Sequence, residues 1–422
     1  MLARLQQRGT HRGLVGGLAV VAGDDCVGHV CLSSASAESR LPAARQGPPA
    51  CRFQHGSTAR RPARGASNDC PRGAGGVRPW CVVASGPYGR SLWLGPEHAA
   101  TTADVFVWAA LRGVDSHGIA RVPAYLELLA KGVANPRAEI TLTSATPAAA
   151  VLDADRAPGP VALSAAAEEA VSRARTTGIA SVGVRGTVHT GAIGYYVSKI
   201  AEQGLVGLGF VAGMPNMGYT GVQGAAVATS PLAIAVPTAA SSGHAPLLLD
   251  MATATIALGR IRQARASGTP LPEGAAATED GTPTTDPEKA VMPLPLGGAK
   301  GSGMSLAFEL LTSVLVGAPI FSAFHSDDPK ARKHRQNALL IALDPAAFGD
   351  PDRFTADVDT TLSTLKGLPS ADGAAGVFYP GERSAAVAAE RAEKGVPVTP
   401  KVWRELMESA ERFGIAPPTP VA

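Results

Sequence analysis

The chain has 422 residues, 45% of them apolar and 17% charged, enough to bury a large core and to hold more than one structural unit. Its formal charge of +3 is unevenly spread: residues 1–92 hold twelve arginines, no lysine and four acids, a local +8, which leaves −5 on the rest. An acidic body argues against nucleic acid as the main partner, and no apolar run is long enough to span a bilayer.

Residues 1–92 are rich in Arg, Gly, Ser, Ala and Pro and show no sustained helical or strand period. All five cysteines, Cys26, Cys31, Cys51, Cys70 and Cys81, lie there, at spacings that match no zinc or redox motif. The apolar stretch 14–22 has the outline of a signal peptide, but Asp24 and Asp25 stand where a small-residue cleavage site belongs. An Arg-rich, acid-poor transit peptide is the other targeting reading. The abrupt change in Arg and Cys usage favours a disordered or spurious extension, from a wrong start site or reading frame. The cysteine-free body fits a reducing compartment, and the cytoplasm is its expected location.

From residue 93 the pattern is regular and reads as one catalytic unit over 93–422. The Ala-rich amphipathic run 97–110 predicts a helix, and 125–130 a second, ended by Lys131-Gly132 with Pro136 beyond. A strand is expected at 149–152, a helix at 162–174, a buried strand at 179–184, a helix at 191–203 and a strand at 206–211. Further strands are expected at 233–237, 247–249, 339–343 and 376–378, with a buried helix at 306–316. The closing helix, 400–413, has Thr399 as cap and Pro400 at its first position. Alternating strands and helices make the body α/β.

Five constellations could carry chemistry. In 112–125 an acid, a hydroxyl, an imidazole, a guanidinium and a phenol fall close together. A helix starting after Ser116 would set His117, Arg121 and Tyr125 on one face. Arg121 suits a carboxylate, and His117 can move a proton near neutral pH; the plainer reading is a capped helix start with a half-exposed His. His189 sits in a polar loop between a strand and a helix start, where it could meet an anion or simply cap that helix. Asp250 closes an apolar strand and could pair with His117, cap a helix over 252–262, or do both. In 295–304, Lys300 lies among glycines that could cradle a phosphate or form a turn; the Walker spacing is absent. Tyr379-Pro380-Gly381-Glu382 is a turn. There is no Rossmann fingerprint: after Gly207, Gly209 and Gly213, Met214-Pro215-Asn216 stands where a helix should open. Asp115, His117 and His189 have no recognised metal-ligand spacing.

Taken in order, these strings resemble the malate/L-lactate dehydrogenase family that lacks a Rossmann domain and includes ureidoglycolate, sulfolactate and 2,3-diketogulonate enzymes. Gly113-Val114-Asp115-Ser116-His117-Gly118 is highly characteristic. So is the order Leu249-Asp250-Met251-Ala252, the 281–287 segment, Lys300-Gly301 and Pro380-Gly381-Glu382. The resemblance covers about 94–415. It implies a non-Rossmann α/β fold, a homodimer, NAD or NADP as cofactor, and a small 2-hydroxy or 2-oxo acid as substrate. It also implies His117 as proton donor or acceptor, assisted by Ser116 and Asp250, with Arg121 clamping the carboxylate and His189 as a second imidazole. Pro246, Leu247, Leu248, Leu249, Asp250, Met251 and Ala252 would contact the cofactor, with Ala299, Lys300, Pro380, Gly381 and Glu382. No metal is implied. The alternatives are reduction of a cyclic imino acid and an inactive cofactor-binding paralogue. The chain departs from the pattern at Val188, Thr190 and Ser230. It also departs at 80–93, where the family's first helix belongs and no helical period is found; the native helix is expected to be missing.

Overall fold

The computed structural model describes residues 94–414 and two short strands, β1 (Gly16–Leu18) and β2 (Leu32–Ser34), which pair antiparallel. The other expectations for residues 1–92, the cysteines among them, lie outside the described residues.

The body opens with α1 (Pro96–Leu111), where Pro96 has no first-turn N–H to lose and Val105, Phe106 and Ala109 face the core. Two 3₁₀ turns, Asp115–His117 and Ile119–Arg121, lead into α2 (Val122–Ala130). Next come β3 (Thr141–Thr146), β4 (Ala149–Asp153), α3 (Gly159–Thr177), β5 (Ile179–Thr187), α4 (Gly194–Glu202) and β6 (Val206–Gly213). They are followed by β7 (Leu232–Val236), β8 (Leu247–Met251), α5 (Leu258–Ser267) and the small pair β9 (Ala276–Ala277) and β10 (Met292–Pro293). Then come α6 (Ala299–Glu309), a π turn at Leu310–Val314, α7 (Phe321–Phe324), β11 (Gln336–Leu343), α8 (Pro351–Lys366) and α9 (Glu382–Lys394). The last helix, α10 (Pro400–Phe413), has the expected bounds, and the Thr399 hydroxyl accepts the Val402 N–H at 3.4 Å.

Strands β3-β4-β5-β11-β6-β7-β8 form one mixed sheet. Only β4 and β5 are parallel, joined through α3; every other neighbour pair in that sheet is antiparallel. The fold is therefore α/β with a single βαβ crossover. Helices α3 and α4 cover one face with small residues such as Ala162, Ala166 and Ala170, which allow close approach to Val182, Val184 and Leu340. Each large aliphatic buried here, such as Leu163 or Ile200, contributes about 1.5–3 kcal/mol relative to exposure. The opposite face takes α6, whose Phe308 ring lies 5.0 Å from Phe210.

Four expectations need correction. Helix α4 starts three residues late, because Gly191 has φ +72 and cannot lie in a right-handed turn. Residues 252–257 are irregular and the helix runs over Leu258–Ser267, so Asp250 does not cap it. The expected buried helix 306–316 begins at Ala299, and its later part exposes Leu310, Leu311, Val314 and Leu315. No strand forms at 376–378, where Gly376 has φ +120. Strand β3 was not predicted: all six of its residues are exposed, so burial leaves no alternation to read.

Candidate active site

The segment from Ser116 to Tyr125 is not one helix. Gly118, extended at ψ −148, separates the two 3₁₀ turns. A Cβ on Gly118 would come within 2.9 Å of Ala110, so the chain turns hard against α1 there. The i, i+4, i+8 face drawn for His117, Arg121 and Tyr125 is therefore not their geometry, yet the three still converge. The rings of His117 and His189 stack at 5.7 Å with 26° between planes. The Ser116 hydroxyl lies 3.0 Å from His117 Nδ1. Buried Tyr125 places its hydroxyl 2.9 Å from His189 Nδ1 and 2.5 Å from the His189 carbonyl. The Gly191 N–H donates to the same Nδ1 at 3.2 Å. A nitrogen that takes an amide N–H is an acceptor, so the neutral ring carries its proton on Nε2.

Burial and then the Arg121 charge hold His117 down to about 4. His189 is held well below the ordinary imidazole range by burial, then by Arg121, His117 and His334. Both rings are neutral at pH 7. The Nε of Arg121 is buried with no hydrogen-bond partner. Its guanidinium thus faces the histidines with capacity unspent, an arrangement that welcomes an anion.

Asp250, in β8, is exposed, with its carboxyl set in a protein surround against Gly194 at the start of α4. That surround pushes its carboxyl up to about 6, opposed by a hydrogen bond at 2.9 Å from the Gly194 N–H at the start of α4. Among the described residues Asp250 and His117 share no hydrogen bond. Asp115 is turned away toward Arg391 on α9, at 2.5 Å.

The three segments singled out for a cofactor lie side by side. Strand β8 is a sheet edge, and Leu248 N–H donates to the Pro380 carbonyl at 2.9 Å. Gly381, at φ +91, packs so closely that a Cβ would meet Leu248 Cβ at 2.7 Å. Beyond β8, a Cβ on Gly301 would come within 2.6 Å of the Thr253 carbonyl, which seats the start of α6 against this edge. Ala299 and Lys300 are exposed there; no side chain caps α6, and the Lys300, Gly301 and Ser302 N–H groups donate to the Gly297, Leu296 and Gly298 carbonyls of the preceding turn. Glu382 is held by Lys366 in an ion pair.

The departures have local reasons. Val188 is fully buried beside Leu94, Leu129 and Ala134, where an amide would lack partners. Thr190 is buried and donates its N–H to Gln336 Oε1 at 3.0 Å. Ser230 is buried and receives a hydrogen bond at 3.1 Å from Ser305. Sequence reading missed His334, two residues before β11, Gln336, the first residue of β11, and Arg262, on α5. They reach the site from distant parts of the chain and carry no local motif.

The model of the malate/L-lactate dehydrogenase family matches residues 91–407, and the chain belongs to that family. It is 33% identical to the ureidoglycolate dehydrogenase (NAD(+)) of Escherichia coli O157:H7 over 317 residues, 74% of this chain and 89% of that protein. It is 35% identical to the L-sulfolactate dehydrogenase of Methanocaldococcus jannaschii over 76% of this chain and 91% of that protein. The solved sulfolactate dehydrogenase from Methanocaldococcus jannaschii superposes with a TM-score of 0.67 at 34% identity, over 76% of this chain and 92% of that one. A Δ1-piperideine-2-carboxylate reductase from Pseudomonas syringae pvar. tomato gives 0.66 at 32% identity, over 75% and 93%.

Proposed function

We propose that this protein is an NAD(P)-dependent oxidoreductase that moves a hydride between the cofactor and a small 2-hydroxy or 2-oxo acid. The observation that carries the reading is the pair of neutral imidazoles stacked beside a guanidinium whose Nε is buried and unpartnered. Relatives named for NAD⁺ and for NADP⁺ support either cofactor. The residues present fit such a group: exposed Lys300, after the glycine turn Gly297-Gly298, suits a pyrophosphate, and the edge formed by residues 246–252 and 380–382 gives it a wall. When bound, the nicotinamide supplies or accepts the hydride.

Arg121 holds the substrate carboxylate, which cancels the charge that suppresses His117. In the oxidation direction His117 takes the hydroxyl proton; in reduction it returns one. Ser116 steadies its ring through Nδ1. His189 offers Nε2–H to the same substrate oxygen. Asp250 takes the Gly194 amide and fixes the start of α4, the helix that follows His189. Residues 93–422 form the catalytic unit. A homodimer is proposed as well, supported by the exposed apolar patch of Leu310, Leu311, Val314 and Leu315. The cytoplasm is the proposed location, in keeping with the cysteine-free body; among the described residues no helix is long and apolar enough to cross a membrane.

Reduction of a cyclic imino acid is the second reading, supported by the likeness to the piperideine-2-carboxylate reductase. Arg121 would hold the carboxylate there too. The test is absorbance loss of NADH and NADPH with pyruvate, oxaloacetate and a cyclic imino acid. Turnover of an oxo acid is the expected result. Turnover of the imine alone moves the assignment to the second reading, and silence from folded, cofactor-binding protein overturns both.

A further inference from the structure

Helix α9 begins on the cofactor edge and ends beside the turn that carries His117. Its N-cap, Gly381, packs on Leu248 too closely to admit a Cβ, which fixes that end to β8. From Gly381 to Arg391 the chain climbs about 15 Å at the helical rise. Ser384, Val387 and Arg391 are spaced i, i+3, i+7 and share one face. All three meet the segment that leads from α1 to His117. Arg112 donates to the Ser384 hydroxyl at 3.1 Å. A Cβ on Gly113, at φ +80, would lie 3.4 Å from Val387 Cγ1. Arg391 Nη1 donates to the Ala110 carbonyl at 2.5 Å and to Asp115 Oδ1 at 2.5 Å, and Nη2 donates to Asp115 Oδ2 at 3.3 Å. Ala110 lies in the last turn of α1, which has no basic residue of its own, so Arg391 supplies the cation that this helix end favours. Asp115 opens the 3₁₀ turn that His117 closes. The Asp115 side chain is 59% exposed, and an ion pair so open to water adds little to stability. What the two-pronged contact does fix is orientation.

We propose that Arg391 is a positioning residue for the hydride-transfer reaction: through Asp115 it sets the turn that holds the His117 ring against His189, and α9 thereby keeps that ring in register with the cofactor edge. Arg391 acts through Asp115 rather than on the substrate. This rests on the dehydrogenase reading, in which His117 moves the proton, and adds to it the strut that places His117.

The test compares the full chain with Arg391→Gln, Asp115→Ala and the double variant in kcat, in the dissociation constants of NADH and NADPH, and in an NMR titration of the His117 ring. Each single variant should lower kcat by about 10–100-fold, as a displaced catalytic group does, with cofactor binding unchanged. The double variant should be no worse than either, and Arg391→Lys should recover part of the loss. The titration separates position from charge. His117 is held at about 4, by burial first and by Arg121 second, and Ser116 and His189 also face the ring; neither variant alters these three residues. A ring freed from its burial rises toward the ordinary imidazole value in both variants. Through-space charge alone would raise it in Arg391→Gln and lower it in Asp115→Ala, because the two lose opposite charges. Shifts of opposite sign, or kcat and titration both unchanged, overturn the proposal. So does a lower melting temperature with kcat per folded protein intact, which would make the pair merely structural. If Arg391→Gln does not fold, Asp115→Ala, at an exposed side chain, carries the same readings with Arg391→Lys. If no acid turns over, the dehydrogenase reading fails by itself, and the direction of the two titrations decides this proposal.

Discussion

His189 spends one ring nitrogen on its own scaffold and keeps the other for the cleft. Gly191 and Tyr125 occupy the Nδ1 side, so the ring cannot turn without losing both contacts, nor exchange tautomer without losing the Gly191 one. Among the described residues His117 has no such restraint beyond Ser116, which suits a group that gains and loses a proton in turnover. Replacing it tests that division of labour. His117→Ala should lower kcat by about 10²–10⁴-fold while the cofactor dissociation constant stays the same. Unchanged turnover would remove His117 from the mechanism. Charge makes a second prediction. Arg121 helps to hold His117 at about 4, and a positive neighbour opposes protonation. Arg121→Gln should therefore raise the His117 pKa toward the ordinary imidazole value, read by NMR titration of the ring. In the intact enzyme the base is already deprotonated above that pKa, so His117 should impose no acid limb on kcat/KM for oxidation near neutral pH. A His117 pKa unmoved by Arg121→Gln would place the guanidinium away from the ring.

At the scale of elements, the site is a meeting of chain segments that glycine permits. A Cβ on Gly159, the first residue of α3, would come within 2.3 Å of the His189 carbonyl and 2.4 Å of Thr190 Cα. Neither backbone atom can yield without moving the catalytic loop. Gly159→Ala should destabilise the fold by about 1–3 kcal/mol, as overpacking does, and should lower kcat/KM with helix content by circular dichroism retained. An unchanged melting temperature and rate would mean that the loop is not pinned there. The same elements show what the sequence could reveal. Helix α10 was legible to the residue because cap, Pro and amphipathic period agree. The strands β5 and β6 were legible because their apolar, β-branched runs are buried. The turns around Gly118 were not, since local spacing suggested a helix where packing against Ala110 imposes 3₁₀ geometry. The antiparallel pairing of most of the sheet was hidden too: alternation gives the elements but not their order. The first half of the site was readable as motifs, whereas His334, Gln336 and Arg262 join it only through the fold.

For the whole molecule, one side stands out as unfinished. Leu315 is 65% exposed and Leu310 52%, on a π-turned continuation of α6 whose start is the proposed phosphate site. A second copy seated on this patch would couple association to the cofactor-binding helix. Leu310→Asp with Leu315→Asp should convert a dimer into monomers in sedimentation equilibrium, and should weaken cofactor binding as well. A native chain that sediments as a monomer would contradict the dimer. A chain beginning at residue 93 should fold and turn over like the full protein if 93–422 form the catalytic unit; a loss of either would assign a role to the preceding segment.

The most direct measurement follows the hydride itself. The protein is given NADH or NADPH doubly deuterated at nicotinamide C4, together with oxaloacetate, and the product is read by mass spectrometry and NMR. One deuterium at C2 of the hydroxy acid is the expected result. Product with no deuterium at C2, or no product from folded protein that binds the cofactor, would contradict hydride transfer at this site.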